Sequence, residues 1–241
     1  MIHIKNISFS YPDGNQALNQ VSIGIEPGSS VAVVGANGAG KSTLLALLVG
    51  ILTVEEGEIQ IAGIPLIKNR LEEIRKKVGF VFQNPDDQLF MARVYDDVAF
   101  GPRNFGYNLD ETKQMADHAI EIMKVGHLIN RAPHKLSGGE KRNVAIATVL
   151  AMDPEVILFD EPSSFLDPKS RRNFINAMSE LDHTKLIATH DLDLVLDLCE
   201  RVIILKNGEV FADGNPIELF RDEELMEQAG LEVPLSLQNR A

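Results

Sequence analysis

The chain has one cysteine, Cys199. No internal disulfide can form, and that frugality suits a reducing compartment. Within its apolar helical stretch Cys199 reads as a small buried hydrophobe. Cationic residues are also few: 23 Lys and Arg stand against 35 Asp and Glu, for a net charge of −12. The basic excess that drives non-specific binding to phosphate backbones is missing, so no nucleic-acid partner is expected. Gly and Pro, at 18 and 11 of 241 residues, are too scarce for a linker-dominated or fibrous chain. Uncharged apolar runs long enough to span a membrane are lacking. Pro27–Val54 carries a single charge, Lys41, but its five glycines and the polar run Asn37–Thr43 spoil it as a spanning helix. Met1–Tyr11 alternates apolar and polar residues, without the basic start and apolar block of a secretory leader. A cytosolic chain is expected, one able to work close to a membrane. Internal repeats and long heptad runs are absent as well.

What is there suits a soluble α/β protein with a full core: 44% hydrophobic and 24% charged residues. Val21, Ile23 and Ile25 alternate as in a half-buried strand, and Ile59 and Ile61 repeat the pattern after Gly57. Continuous apolar runs follow at Val31–Val34, Val78–Phe82, Val156–Phe159, Leu186–Ala188 and Val202–Leu205. Such runs belong to strands covered on both faces, and helical stretches separate most of them. Asn207-Gly208 marks a tight hairpin. The expected fold is α/β, a mostly parallel sheet with antiparallel additions. From Asp87 to Leu150 helix dominates, with Met115, Ala119, Ile122 and Met123 at helical spacing and Asp110 as the expected N-cap. The tail after Pro216 is acidic and helical to about Ala229, then irregular. We therefore expect one domain over 1–241, with an α/β core of 1–86 and 151–215, an inserted helical lobe of 87–150 and a C-terminal tail of 216–241.

Gly35-Ala36-Asn37-Gly38-Ala39-Gly40-Lys41-Ser42 fits G-x-x-x-x-G-K-[ST], which arises by accident in roughly one chain in a hundred of this length. Here an apolar strand precedes it and the helix Thr43–Val49 follows, as phosphate binding requires. Glycines let backbone N–H groups curl around phosphate oxygens, and the helix N-terminus adds positive potential. In such loops the lysine, Lys41, reaches the β- and γ-phosphates, and the hydroxyl of Ser42 ligates Mg²⁺. A solvated glycine-rich turn is the bland alternative, and its flanking strand and helix weigh against it.

Val156–Phe159 ends in Asp160-Glu161. Asp160 at the carboxyl end of a strand can hold Mg²⁺ through water, and Glu161 can orient or deprotonate an attacking water. Leu136-Ser137-Gly138-Gly139-Glu140 contains an S-x-x-E capping box ahead of the apolar run Val144–Ala151. Two bare glycines at a helix start also make an anion site, so cap and function coexist.

With these motifs in this order the chain resembles the ATP-binding cassette family from about Ile2 to Pro216. Leu136–Glu140 resembles its LSGGQ signature with glutamate in fifth place, and the resemblance implies a RecA-like P-loop NTPase fold and MgATP hydrolysis. It further implies that Gln83 senses Mg²⁺ and the γ-phosphate, that His190 is the switch histidine, and that Tyr11 stacks on adenine. Ser164-Phe165-Leu166-Asp167 is similar to the loop that communicates across the cassette dimer. The resemblance thus puts Tyr11, Gly35, Ala36, Asn37, Gly38, Ala39, Gly40, Lys41, Ser42, Thr43, Gln83, Ser137, Gly138, Gly139 and Asp167 at the nucleotide. It assigns Mg²⁺ to Ser42, Gln83 and Asp160, and catalysis to Glu161, His190 and Lys41.

Gln83–Phe90 and Asp96–Pro102 resemble the energy-coupling-factor group, importers of cobalt, nickel or vitamins. The resemblance implies a second ATPase subunit, identical or paralogous, a transmembrane scaffold and a separate substrate-binding membrane protein. It implies residence on the cytoplasmic face of the membrane. Five aromatics between positions 90 and 107 (Phe90, Tyr95, Phe100, Phe105, Tyr107) suit either a groove for a partner helix or the core of the helical lobe. The alternative is a non-transport cassette ATPase of DNA repair or translation. The repair ATPases place long coiled coils between phosphate loop and signature, for which this chain has no room. The translation factors carry two cassettes per chain, and this one has a single phosphate loop.

Overall fold

Alternation at the N-terminus builds an antiparallel sheet. β1 (Ile2–Ser10) pairs with β2 (Gln16–Ile25) on one side, Ile2 opposite Ile25 and Ile4 opposite Ile23. On the other side it pairs with β4 (Glu56–Ile61), Ile2 opposite Ile61 and Ile4 opposite Ile59. A two-residue β5 (Ile64–Pro65) closes the order β2-β1-β4-β5. The isoleucines share one face and are buried, as a period of two demands. The computed structural model describes residues 1–238, which divide into two compact units. Unit one holds Met1–Arg75 with the described residues from His183 onward, and unit two holds Lys76–Asp182.

Unit one also carries the parallel strands. β3 (Ser30–Val34) lies between β8 (Thr184–Ala188) and β9 (Arg201–Lys206), parallel to both. β10 (Glu209–Gly214) returns antiparallel to β9. Asn207 and Gly208 at this turn have φ of 50° and 78°, the left-handed pair of a tight hairpin. α1 (Lys41–Leu48) follows β3, and α7 (Leu192–Leu198) precedes β9. The tail forms two short helices, α8 (Pro216–Arg221) and α9 (Glu223–Gln228). Phe220 and Met226 seal the sheet face of Ala32, Val34, Val202 and Ile204. Cys199 packs against that cluster, and burial pushes its thiol up to about 12.

The chain crosses to unit two within α2 (Leu71–Lys77). There β6 (Val78–Val81) and β7 (Val156–Asp160) run parallel, Val81 beside Phe159. Around them lie α3 (Val94–Asn104), α4 (Leu109–Ile122), α5 (Gly138–Leu150) and α6 (Pro168–Ser179). α5 packs so close to β6 that a Cβ on Gly79 would stand 2.1 Å from Val149. The N-cap of α4 is Asn108, not Asp110. Asn108 accepts from the N–H groups of Asp110 and Glu111, and the Glu111 carboxylate returns to the Asn108 N–H. That reciprocal box outcompetes a cap at Asp110, which lies in the first turn as a favourable charge.

The fold is the α/β class expected, with its mostly parallel strands, antiparallel sheet and helical lobe.

Candidate active site

Parallel strands deliver their following loops to one edge. In unit one the neighbours are β3 and β8, with Val33 beside Ala188. β3 leads into the phosphate loop and β8 into Thr189 and His190, whose backbone stays in step because the Thr189 N–H donates to Val33 O. The loop's glycines have distinct jobs. Gly35 (φ 153°) would set a Cβ 2.3 Å from Leu205 O, and Gly40 (φ 106°) one 2.5 Å from Ala17 O. Both must be glycine on backbone grounds. Gly38 (φ 81°) has nothing within 4 Å of its Cβ position, which leaves backbone open to a ligand.

Gly40 is also the N-cap of α1, and no side chain caps that helix. Its first N–H groups and its dipole point into the loop, the arrangement that receives phosphate. Lys41 Nζ donates to Gly35 O at 2.7 Å and Ala36 O at 3.2 Å, which folds the ammonium over the loop it serves. The Tyr11 phenol hydrogen-bonds Thr43 Oγ1 at 3.0 Å, and its ring meets Phe9 edge-on. Unit one therefore gathers Tyr11, Gly35–Thr43 and the exposed His190. Asp191 caps α7 through the Leu194 N–H, which fixes the turn that carries His190.

In unit two β6 and β7 do the same for Gln83, Asp160 and Glu161. Asp160 is half-buried at the last position of β7, and Glu161 follows, buried. Glu161 has φ 46°, a left-handed conformation that costs a non-glycine residue about 1–3 kcal/mol and concentrates at functional sites. Gln83 is exposed two residues past β6. Within unit two Gln83 and Asp160 offer an amide and a carboxylate oxygen, and within unit one Ser42 offers a hydroxyl, donor types that suit Mg²⁺.

The signature forms the start of α5. Ser137 Oγ accepts from the Glu140 N–H at 3.4 Å, and the Glu140 carboxylate accepts from the Ser137 N–H at 2.8 Å. The same carboxylate accepts from the Ser137 hydroxyl at 2.9 Å, and the two bonds it accepts from Ser137, the N–H first, hold the Glu140 carboxyl below the usual range. The Gly138 and Gly139 N–H groups stand outside this box, at the positive end of the helix. A Cβ on Gly139 would lie 2.4 Å from Ser170 Oγ, whereas one on Gly138 meets nothing nearer than 3.8 Å. Asp167 is committed to α6: it accepts from Lys169 N–H and Ser170 N–H and from the Ser170 hydroxyl, which lowers its pKa. Phe165, in the same loop, is 89% exposed with φ 64°.

Sequence reasoning missed two buried groups in unit two. Arg142 on α5 is 1% exposed and donates to Phe82 O and Gln83 O. Desolvation draws its pKa down to about 10, against the attraction of Asp160. The signal was there: Arg142 lies on the helical stripe of Ala145, Ile146 and Val149, where a charge is out of place. Asp97 on α3, 3% exposed, accepts from the Phe90 and Met91 N–H groups.

The family model for the ABC transporter matches residues 18–164, from β2 through phosphate loop and signature to the loop after β7. The chain belongs to the ABC transporter family. As an ATP-binding cassette it is an ATPase. It is 47% identical over 239 residues to the energy-coupling factor transporter ATP-binding protein EcfA of Methanothermobacter thermautotrophicus, covering 97% of this chain and 77% of that one. Among solved structures it matches cbiO1 of Clostridium perfringens, described as part of the ABC transporter complex cbiONQ. That match has TM-score 0.84 at 37% identity, covering 94% of this cassette and 93% of that chain. The cassette MJ0796, solved as a dimer bound to ADP and Pi, matches with TM-score 0.80 at 31% identity over 90% of this chain and 99% of that one.

Proposed function

We propose that this cassette is the ATP-hydrolysing subunit of an importer of the energy-coupling-factor type. The observation that carries this reading is its likeness to EcfA along almost its whole length, with the cbiO1 structure as independent support. Its cargo would be a transition-metal ion such as cobalt or nickel, or a vitamin, chosen by a separate membrane subunit. Among the described residues no helix is long and apolar enough to cross a membrane. Protein contacts with a transmembrane scaffold would then hold it at the cytoplasmic face.

The loop Gly35–Thr43 binds the triphosphate through backbone N–H groups and Lys41, and Tyr11 packs on the adenine. Ser42, Gln83 and Asp160 would hold Mg²⁺, which supplies charge neutralisation on the β- and γ-phosphates when bound. Glu161 accepts the proton of the attacking water, its position fixed by the strained backbone at the end of β7. His190 contacts the γ-phosphate from the end of β8. The chain has one phosphate loop and one signature. Two cassettes paired head to tail would set Ser137, Gly138 and Gly139 of one over the ATP of the other, with Asp167 shaping the loop between them. ATP then closes the pair and hydrolysis reopens it.

Purifying a tagged chain from native membranes in mild detergent tests the transport reading. A scaffold and a substrate-binding membrane protein should copurify; recovery without any membrane protein refutes it. Glu161→Gln should keep ATP binding, lose most turnover and sediment as an ATP-dependent pair. Near-normal hydrolysis by that variant would rule out Glu161 as the base.

A further inference from the structure

The buried guanidinium of Arg142 is unexplained by packing alone. Nη1 donates to Phe82 O and Nη2 to Gln83 O, both at 2.6 Å, while Nε is buried without a hydrogen-bond partner. A charge in such a place carries a heavy desolvation cost. A neutral side chain would suffice to tie this strand end to α5, and one already does. Gln88 accepts from the Phe82 N–H at 3.2 Å and donates to Ala145 O at 2.7 Å and Thr148 Oγ1 at 2.8 Å. What Arg142 adds is a rigid planar fork on two successive carbonyls, which fixes the Phe82–Gln83 peptide and so the direction in which Gln83 leaves. Its charge also attracts Asp160 at the end of the neighbouring strand. At the surface, Lys141 pairs with Asp86 at 2.6 Å, a further tie between α5 and the segment after Gln83.

We propose that Arg142 is a positioning residue that sets Gln83 for Mg²⁺ by referring it to the signature helix. The start of α5 and the Gln83 side chain then move as one piece. This rests on the reading of Gln83 as a Mg²⁺ ligand given above. The role is distinct from the capping box, which holds only the first turn of α5, and from Gln88, which does not touch the Gln83 carbonyl.

The test is a double-mutant cycle between Arg142→Met and Gln83→Ala, read by calorimetry as nucleotide binding without turnover. The quantity is the Mg²⁺ concentration that half-saturates binding of the non-hydrolysable analogue AMP-PNP. Gln83→Ala should raise it about tenfold, Arg142→Met by a similar factor, and the double variant no further, as for groups acting through one contact. Binding of AMP-PNP in excess chelator should stay within about twofold of wild type for Arg142→Met, because the phosphate loop is untouched. If Arg142→Met does not fold, Arg142→Lys carries the same cycle with about a threefold shift, since one donor can still reach one carbonyl. Factors that multiply in the double variant, or an unchanged Mg²⁺ requirement in the Arg142 variants, overturn the inference. A silent Gln83→Ala instead removes the ligand reading of Gln83, and the inference falls with it.

Discussion

Asp97 offers a measurement in which charge and hydrogen bonding separate. Its Oδ1 accepts the N–H groups of Phe90 and Met91, each at 3.0 Å, and Oδ2 is buried without a hydrogen-bond partner. The carboxyl therefore clamps the segment beyond Gln88 onto α3. Asp97→Ala strips both part-buried amides of their acceptor. A fully buried group left unsatisfied costs about 1–3 kcal/mol, and for two part-buried amides the loss should fall toward the lower end, at about 2–3 kcal/mol in total. Asp97→Asn keeps an acceptor oxygen in the Oδ1 position, removes the charge and puts an NH2 group where Oδ2 stood. That variant should lie within about 1 kcal/mol of wild type at neutral pH.

The pH dependence carries a sign. Burial raises the Asp97 pKa above its ordinary 3.8, more than the two amides lower it. The folded state then binds more proton than the unfolded state in the window between 3.8 and the raised value. Stability from this group is full below the unfolded pKa and falls as pH rises through the folded one. Asp97→Asn has no such fall, so it should gain on wild type between acid and neutral pH. Urea unfolding followed by far-ultraviolet circular dichroism suits a chain without tryptophan. An alanine variant as stable as wild type, or an asparagine variant that loses ground on going to neutral pH, would refute the reasoning.

Gly139→Ala should disturb the signature far more than Gly138→Ala, because only the former drives a Cβ to 2.4 Å from Ser170 Oγ. Thermal melts of the two variants check the order, and equal melting temperatures would contradict the packing. Gly40→Ala combines left-handed strain with a contact of 2.5 Å to Ala17 O, so ATP binding should drop by at least tenfold in equilibrium dialysis while the fold survives. Cys199, its thiol pushed up to about 12 by burial, should alkylate at least about tenfold more slowly in the native protein than in urea. Comparable rates at pH 8 would show the thiol to be accessible and ordinary.

Much of the fold was legible because it rests on short periods. Ile2, Ile4, Val21, Ile23, Ile59 and Ile61 alternate along their strands, and the structure buries all of them on one sheet. The Asn207-Gly208 hairpin and the Ser137–Glu140 capping box are local as well, each decided within four residues. The start of α4 was misplaced for an equally local reason. Asn108 and Asp110 are both short acceptors, and the glutamate three positions after Asn108 was the discriminating sign. The left-handed backbone at Glu161 and Phe165 left no trace, since neither residue type favours that conformation and only the surrounding chain imposes it.

The same division runs through the candidate site. Phosphate loop, acidic strand end and signature were readable as motifs because each is built of consecutive residues, and a spacing rule captures it. Positioning residues work across the chain instead. Arg142 meets Phe82 over a separation of 60 residues, and Gln88 meets Ala145 over 57. No sequence period links such partners, and only the packing of α5 against the end of β6 brings them together. The readable hint was negative: a cation on an apolar stripe, whose desolvation must be offset by some fixed acceptor. A guanidinium in that position specifies the direction of its acceptors more tightly than a hydroxyl or amide does. That is why a costly buried charge belongs where the aim of one side chain, Gln83, matters more than the strength of the tie.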